Sequence, residues 1–327
     1  MKAAILYTEA PDAPERDPVV TQIEETLASQ GHDVTVIGAS DKVEPLVAAL
    51  ISGAPDLVFN LAESFDGKSA LESNVTGLMN LLGLRYTGSS PAGLLIAGDK
   101  SLTKKVLTFH EISTPQFATV YRGALDSAGD LNFPLIVKPP QEDASIGLTG
   151  ASVVHDLKQL LERMSALQAE FNGPVLVEQY IEGREFYVGV LGNTNAEALP
   201  IIELDFTGFP EGAPRIASWE AKWGTDGAGA GAEYAGTKSV FPDSLDEDLA
   251  GRMQRVAVES FHALRLRDYA RIDLRVTPAG DIYVIEVNPN CYLEKESEFA
   301  RAARQAGHDY PALIARISEL ALARYSR

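Results

Sequence analysis

The sequence predicts an α/β protein: a parallel, helix-covered sheet over residues 1 to about 90, then strand-rich α+β territory to the end. Three observations carry that prediction. Short apolar runs alternate with helix-length segments as far as Leu82. After the break Thr87-Gly88-Ser89-Ser90-Pro91 the apolar runs crowd together and include a hairpin. The composition, 45% hydrophobic and 23% charged over 327 residues, is that of a globular chain long enough for two or three domains.

In chain order, Ala3 to Tyr7 and Asp33 to Ile37 read as strands, with a helix at Pro18 to Gln30 between them. Lys42 to Ser52 is helical, Asp56 to Asn60 a strand, and Ala70 to Leu82 a helix ending at Gly83. Beyond the break, Ser101 to Glu111 is helical and Leu135-Ile136-Val137-Lys138 is a strand stopped by two prolines. Strands at Ala151 to Val154, Val175 to Tyr180, Phe186 to Leu191 and Leu199 to Leu204 follow, with a helix at Leu157 to Phe171. Ser218 to Thr237 holds five glycines and few aliphatics, so it reads as a loop able to move. Helices at Leu245 to Leu264 and Pro311 to Tyr325 flank the hairpin, and there is no internal repeat.

Composition removes several functions. A net charge of −18 opposes a nucleic-acid or anionic-membrane role that depends on a broad basic field. No run approaches the ~18 apolar residues of a membrane span. The opening apolar run turns polar at Thr8-Glu9, too early for a signal peptide, and Cys291 is the single cysteine, so a reducing cytoplasm is expected. Five scattered histidines offer no zinc spacing, and neither GxSxG nor a strand-linked GxGxxG occurs. Gly93-Leu-Leu-Ile-Ala-Gly98-Asp99-Lys100 approaches a P-loop. Asp99 splits the required Gly-Lys pair and no strand precedes Gly93, so the Walker reading fails, although Lys100 stays of interest.

The most informative segment is Tyr269-Ala-Arg271-Ile-Asp273-Leu-Arg275-Val, the turn-forming Thr-Pro278-Ala279-Gly280-Asp281, then Ile-Tyr-Val-Ile-Glu286-Val-Asn288-Pro-Asn290. With Ala279 and Gly280 as the turn pair, Asp273 faces Glu286 and Arg271 faces Asn288. Alternation puts these four side chains on one sheet face and Ile272, Leu274, Ile285 and Val287 on the other. Opposed carboxylates repel unless a cation lies between them, and an all-oxygen donor set suits Mg²⁺. A solvated face relieved by Arg271 and Arg275 is the plainer alternative; the additional polar residue Asn288 favours the metal.

Magnesium held by few carboxylates draws phosphates into its shell, so cations from other elements are expected. Lys138 ends an apolar strand and, half buried, calls for an anion such as phosphate, or for snorkelling to water. Asp143-Ala-Ser145-Ile-Gly147-Leu148 is a small-residue turn that could close over phosphates. Glu178-Gln179-Tyr180-Ile181-Glu182-Gly183-Arg184-Glu185 could present backbone to a purine edge and Glu185 to a ribose diol.

Taken in order, Gly-Asp99-Lys100, Leu-Ile-Val-Lys138-Pro, Ser145-Ile-Gly147, Val-Glu178-Gln-Tyr-Ile, Gly183-Arg184-Glu185-Phe, Ala221-Lys222, Ala-Arg271-Ile-Asp273 and Ile-Glu286-Val-Asn288 resemble the ATP-grasp ligases. Tyr86-Thr87-Gly88-Ser89 and the Ala-Arg-Gln-Ala-Gly307 tail are similar to the D-alanine–D-alanine ligase branch. The resemblance implies an ATP-grasp fold with an N-terminal substrate domain (1–92), a central subdomain (93–181) and a C-terminal subdomain (182–327). It implies ATP-dependent joining of a small amino-acid-like carboxylate to an amine through an acylphosphate, with ATP and two Mg²⁺ (or Mn²⁺) as cofactors. Lys100 and Lys138 would contact phosphates, Glu178, Gln179, Tyr180 and Ile181 would line the adenine pocket, and Glu185 would bind ribose. Asp273, Glu286 and Asn288 would hold metal, with Arg271, Lys222 on the glycine-rich loop and Ser145 as catalytic candidates. A homodimer is favoured by the same analogy.

Departures fall on the amino-acid side. The family's His-Gly-Gly motif is replaced by Leu6-Tyr7-Thr8-Glu9-Ala10-Pro11, and its second N-terminal motif by Phe65-Asp66-Gly67-Lys68-Ser69-Ala70-Leu71-Glu72. Ala144 stands where the family has a network serine, Trp223 follows the loop lysine, and Asn290-Cys291-Tyr292-Leu293-Glu294 replaces Pro-Gly-Met-Thr. Lost polar contacts of this kind change substrate choice, so a different substrate pair is expected, with Asn290, Glu294, Ser297 and Glu298 as candidate substrate residues and a polar or charged amine favoured. Cys291 reads as a packed residue and Lys68 and Asp66 as surface positions. A true D-alanine–D-alanine ligase and a non-catalytic ATP-binding regulator are the alternatives.

Overall fold

The computed structural model describes residues 1–9, 16–121, 124–128, 130–141, 147–209, 214–217 and 237–325. Among them three sheets are built in chain order. The first is parallel, order β2-β1-β3, from β1 (Lys2–Thr8), β2 (Asp33–Ala39) and β3 (Leu57–Leu61). Ala3 to Leu6 are all buried, as a parallel strand covered on both faces requires. Helix α1 (Pro18–Ser29) starts where Pro18 sets the first-turn φ and the Asp17 carboxylate accepts from Val19 N at 2.9 Å. Helices α2 (Val43–Gly53) and α3 (Glu72–Leu81) complete this layer.

Helix α4 (Pro91–Ala97) has no counterpart in the sequence reading, because seven residues are too few to show a helical period. Gly93 and Leu94 lie inside it, so no phosphate-wrapping loop forms there, and Asp99 caps α5 (Lys100–Phe109) through the Ser101 and Leu102 amides. The expected boundary at residues 92 and 93 cuts α4.

The second sheet is antiparallel, order β5-β4-β8-β6-β7, from β4 (Phe117–Tyr121), β5 (Ala124–Ala128), β6 (Leu135–Lys138), β7 (Val153–Val154) and β8 (Val175–Gln179). Gly150 to Ser152 form a 3₁₀ turn, so the strand expected from Ala151 is shortened to two residues. Helix α6 (Leu157–Phe171) packs Leu167 onto Leu135, Val137, Val175 and Val177.

The third sheet runs β12-β11-β9-β13-β14, with β10 beside β9, from β9 (Arg184–Gly192), β10 (Glu197–Ala198), β11 (Ile202–Asp205), β12 (Lys238–Val240), β13 (Asp268–Val276) and β14 (Ile282–Asn288). One face packs on α7 (Glu247–Ala263) through Met253, Ala257 and Phe261. The other shares a core with α8 (Glu298–Gln305), α9 (Tyr310–Tyr325), α1 and the first sheet, where Phe299 and Leu313 cluster with Ile5 and Phe59. That shared core fixes the parallel sheet against the hairpin. No helix among the described residues is long and apolar enough to cross a membrane.

Candidate active site

The hairpin β13–β14 pairs Arg271 with Asn288 and Asp273 with Glu286, so the acidic pair is opposed as the alternation predicts. The turn differs. Thr277 N donates to Asp281 O at 3.0 Å and Gly280, at φ +85°, closes a three-residue loop instead of a two-residue one. Near the turn the register is therefore offset by one, Leu274 opposing Val284. A bulge at Ile285 takes up that residue before Glu286. In consequence Val284 joins Ile272 and Leu274 in the core, while Ile285, expected there, lines the cleft with Glu286.

Each carboxylate of the pair is met by a cation. Arg271 donates to Asp273 from Nε at 2.7 Å and Nη2 at 2.9 Å, and Lys100 Nζ lies 2.9 Å from Glu286 Oε1. Asn288 Nδ2 donates to Asp273 Oδ2 at 3.1 Å. The guanidinium of Arg271 sits over the Tyr187 ring at 4.5 Å and 3.8 Å from Glu298. Burial pushes Asp273 up to about 6, with Glu286 and Glu185 adding to the rise and Arg271 opposing it. A buried acidic pair that draws in two cations, beside a carboxamide on the same face, is an all-oxygen donor set fit for a hard divalent ion. Among the described residues no group of three His, Cys, Asp or Glu could hold a metal, so any ion here needs Asn288 or substrate oxygens as well.

Above the pair, a cleft of about 770 Å³ opens between the second and third sheets, bringing Lys100, Lys138, Gln179, Tyr180, Ile181 and Glu185 to one space with Asp273 and Glu286. Its charges are already organised. Glu178, next to the apolar run Val175-Leu-Val on β8, binds Lys138 at 2.5 Å and Lys104 at 2.7 Å. The anion that Lys138 calls for is thus Glu178 within the protein, and the Glu178 carboxylate faces two ammonium groups. Burial raises Glu178, but the two lysines outweigh it and hold the carboxyl below its ordinary value. Glu185 receives both Arg275 Nη2 at 2.7 Å and Tyr187 OH at 3.0 Å. Tyr180 OH accepts from Arg215 N at 3.1 Å, and apolar Ile136, Leu148 and Ile216 complete the cleft.

Lys104 escaped the sequence reading. Two signals pointed to it: it lies one turn beyond Lys100 on α5, and an acid on a strand as apolar as Val175-Leu-Val-Glu178 needs a buried cation. Ser145 and Lys222 lie outside the described residues, as does the glycine-rich segment from 218 to 236.

A second cavity of about 500 Å³ opens at the carboxyl ends of β1 and β3, between Tyr7, Thr8 and Glu63, the start of α1 at Asp17, and the segment Asn290 to Leu293. Of the candidate substrate residues, Asn290 lines it, its Nδ2 donating to Glu72 Oε1 at 2.5 Å. Others point elsewhere. Glu294 accepts from Gln22 Nε2 at 2.8 Å, Ser297 Oγ donates to Tyr292 O, and Glu298 accepts from Ser239 at 2.9 Å. Cys291 is buried and its thiol pushed up by that burial, as a packed residue would be, while Lys68 and Asp66 are exposed and paired with each other.

Comparison with known proteins places this architecture. Residues 106–319 match the family model described as D-ala D-ala ligase C-terminus. The D-alanine–D-alanine ligase of Xanthomonas axonopodis pv. citri is 32% identical over 304 residues, 91% of this chain and 87% of that protein. The D-alanine–D-alanine ligase of Moorella thermoacetica is 32% identical over 307 residues, 90% and 91% of the two chains. The uncharacterized protein y4sG of Sinorhizobium fredii is 34% identical over 313 residues, 94% and 88%. The crystal structure of D-alanine–D-alanine ligase from Bacillus anthracis complexed with ATP superposes with a TM-score of 0.74 at 23% identity, covering 100% of this chain and 99% of that one.

Proposed function

Because the chain belongs to the D-alanine–D-alanine ligase family of ATP-grasp, ATP-dependent carbon–nitrogen ligases, we propose that it joins a small amino-acid-like carboxylate to an amine through an acylphosphate. The γ-phosphoryl group of ATP passes to the carboxylate, giving ADP and the acylphosphate. The amine attacks the acyl carbon, phosphate leaves, and an amide bond remains. The observation that carries this reading is the opposed pair Asp273 and Glu286 at the base of a cleft that also holds Lys100 and Lys138.

Bound magnesium, as two ions or with Mn²⁺ in its place, would neutralise phosphate charge, held by Asp273, Glu286 and Asn288. The chain's own groups do the rest. Lys100 and Lys138 face the cleft as phosphate partners, and Glu185 meets the ribose. Gln179, Tyr180 and Ile181 flank the adenine, with Glu178 behind them. Arg271, already over Tyr187 and near Asp273, supplies fixed positive charge where the phosphoryl group moves. Lys222 and Ser145 complete the catalytic set in this proposal.

The amine-bearing substrate is assigned to the second cavity. Its lining includes the carboxylates of Asp17 and Glu63 and contains no Lys, Arg or His among the described residues. Two carboxylates with no cationic side chain beside them in the lining favour an ammonium over an anion. The departures at the two N-terminal motifs and after Asn288 support a substrate pair other than two D-alanines. A non-catalytic regulator is disfavoured, since it has no need of Arg271, Asp273, Glu286 and Asn288 together on one hairpin face. The single cysteine, which can make no internal disulfide, supports action in a reducing cytoplasm.

The test is magnesium-dependent phosphate release from ATP over a panel of D- and L-amino acids, singly and in pairs, with Asp273→Ala as control. Release that needs one specific pair, with the joined product found by mass, supports the reading. D-Alanine sufficing alone would establish the D-alanine–D-alanine ligase instead. ATP binding without turnover on any pair would favour the regulator.

A further inference from the structure

Behind the cleft wall lies an ion cluster that the proposed chemistry leaves without a role. Lys104 does not line the larger cleft, yet its side chain is 2% exposed, its Nζ sits 2.7 Å from Glu178 Oε2, and it donates to Thr114 Oγ1 at 2.9 Å. Thr114 in turn donates to Val284 O at 3.0 Å, so the ammonium ties α5 to β8 and to the hairpin strand β14. Glu178 Oε1 belongs to Lys138, whose side chain is 12% exposed and reaches the cleft. Two ammonium groups thus share one carboxylate in a nearly dry setting, leaving one net positive charge.

We propose that Lys104 is a positioning residue that neutralises Glu178 from behind, so that Lys138 presents an uncompensated positive charge to a phosphate in the cleft. Without Lys104, Glu178 and Lys138 would close into a neutral pair and the cleft wall would offer phosphate no net charge. Buried charges interact far more strongly than exposed ones, so one unit of charge behind the wall is felt across it. Burial holds Lys104 below its ordinary lysine value, with Lys138 adding to the fall and Glu178 opposing it. This inference rests on the reading of the cleft as a nucleotide site.

Calorimetric titration of Mg–ATP into the full chain tests it, with thermal midpoints recorded for every variant. Wild type is expected to bind, and Lys104→Met and Lys104→Gln each to bind about 10- to 100-fold more weakly, the size of one charge-assisted interaction. The double variant Lys104→Met/Glu178→Gln removes one charge of each sign and restores the balance. It is expected to bind at least about fivefold more tightly than Lys104→Met, since the net charge facing phosphate is again that of Lys138, whatever the loss of the Glu178 carboxylate costs at the adenine end of the cleft. A strut without electrostatic purpose gives the opposite result, the double variant being no better than Lys104→Met. Wild-type affinity in Lys104→Gln, which keeps a donor to Glu178 but no charge, likewise overturns the inference while leaving the nucleotide reading intact. Failure of wild type to bind ATP overturns both. Should Lys104→Met lose its fold, Lys104→Gln and a Lys104→Gln/Glu178→Gln pair decide the matter by the same comparison.

Discussion

Asp273 and Glu286 stand directly across the β13–β14 ladder, and each is approached by a cation from a different direction, Arg271 from the same strand and Lys100 from α5. The pair holds charge of the right kind to bind a divalent ion, and the two cations balance it in the ion's absence.

Asp273→Ala and Glu286→Gln should each lower magnesium-dependent phosphate release by about 100-fold or more, because phosphoryl transfer is mostly electrostatic stabilisation. The measurement is kcat at saturating ATP. A drop below about tenfold in both would remove the pair from the reaction.

Gly183 approaches the hairpin so closely that a Cβ there would lie 2.0 Å from Val276 O, a backbone atom that cannot step aside. Gly183→Ala should therefore cost about 2–4 kcal/mol in urea unfolding, from displacement of the connection between β8 and β9. A loss under about 0.5 kcal/mol would mean the backbone relaxes freely there.

Acid should loosen the cleft wall through Glu178. Its folded pKa lies below the ordinary carboxylate value because Lys104 and Lys138 outweigh its burial, so it stabilises the fold at pH above that ordinary value. That contribution disappears as pH falls through the lowered folded value. Glu178→Gln should flatten the fall in unfolding free energy between pH 5 and the acid transition; an unchanged acid slope would assign that fall to other groups.

On the substrate side, Asp17→Asn and Glu63→Gln should raise KM for the amine substrate several-fold or more and leave KM for ATP unchanged, whereas Glu294→Gln should leave both nearly unchanged. Glu294 is held by Gln22 away from the second cavity, while Asp17 and Glu63 form part of its wall. Equal effects of Asp17→Asn on both substrates would point to α1 shifting as a whole, since Asp17 also caps that helix.

Local pattern determined a large share of this protein. The alternation of apolar runs and helix-length segments specified the parallel sheet, and strand parity placed Arg271, Asp273, Glu286 and Asn288 on one face. That placement survives a turn one residue longer than the pattern predicts, because the bulge at Ile285 cancels the offset before Glu286. A bulge leaves no reliable mark in sequence: it is chosen by how Val284 fits the core beneath α7. Long-range charge pairing was equally illegible. Lys104 and Glu178 are separated by most of the second sheet in sequence, and only the packing of α5 on that sheet, through β4, makes them partners at 2.7 Å. The residues after Asn290 show the same limit. Their identities signalled a changed substrate region, but which of them face a cavity and which brace α1 is decided by the core that α1, α8 and α9 share. Periodicity is a property of neighbours along the chain, whereas a site is made by side chains that meet only after distant elements have packed.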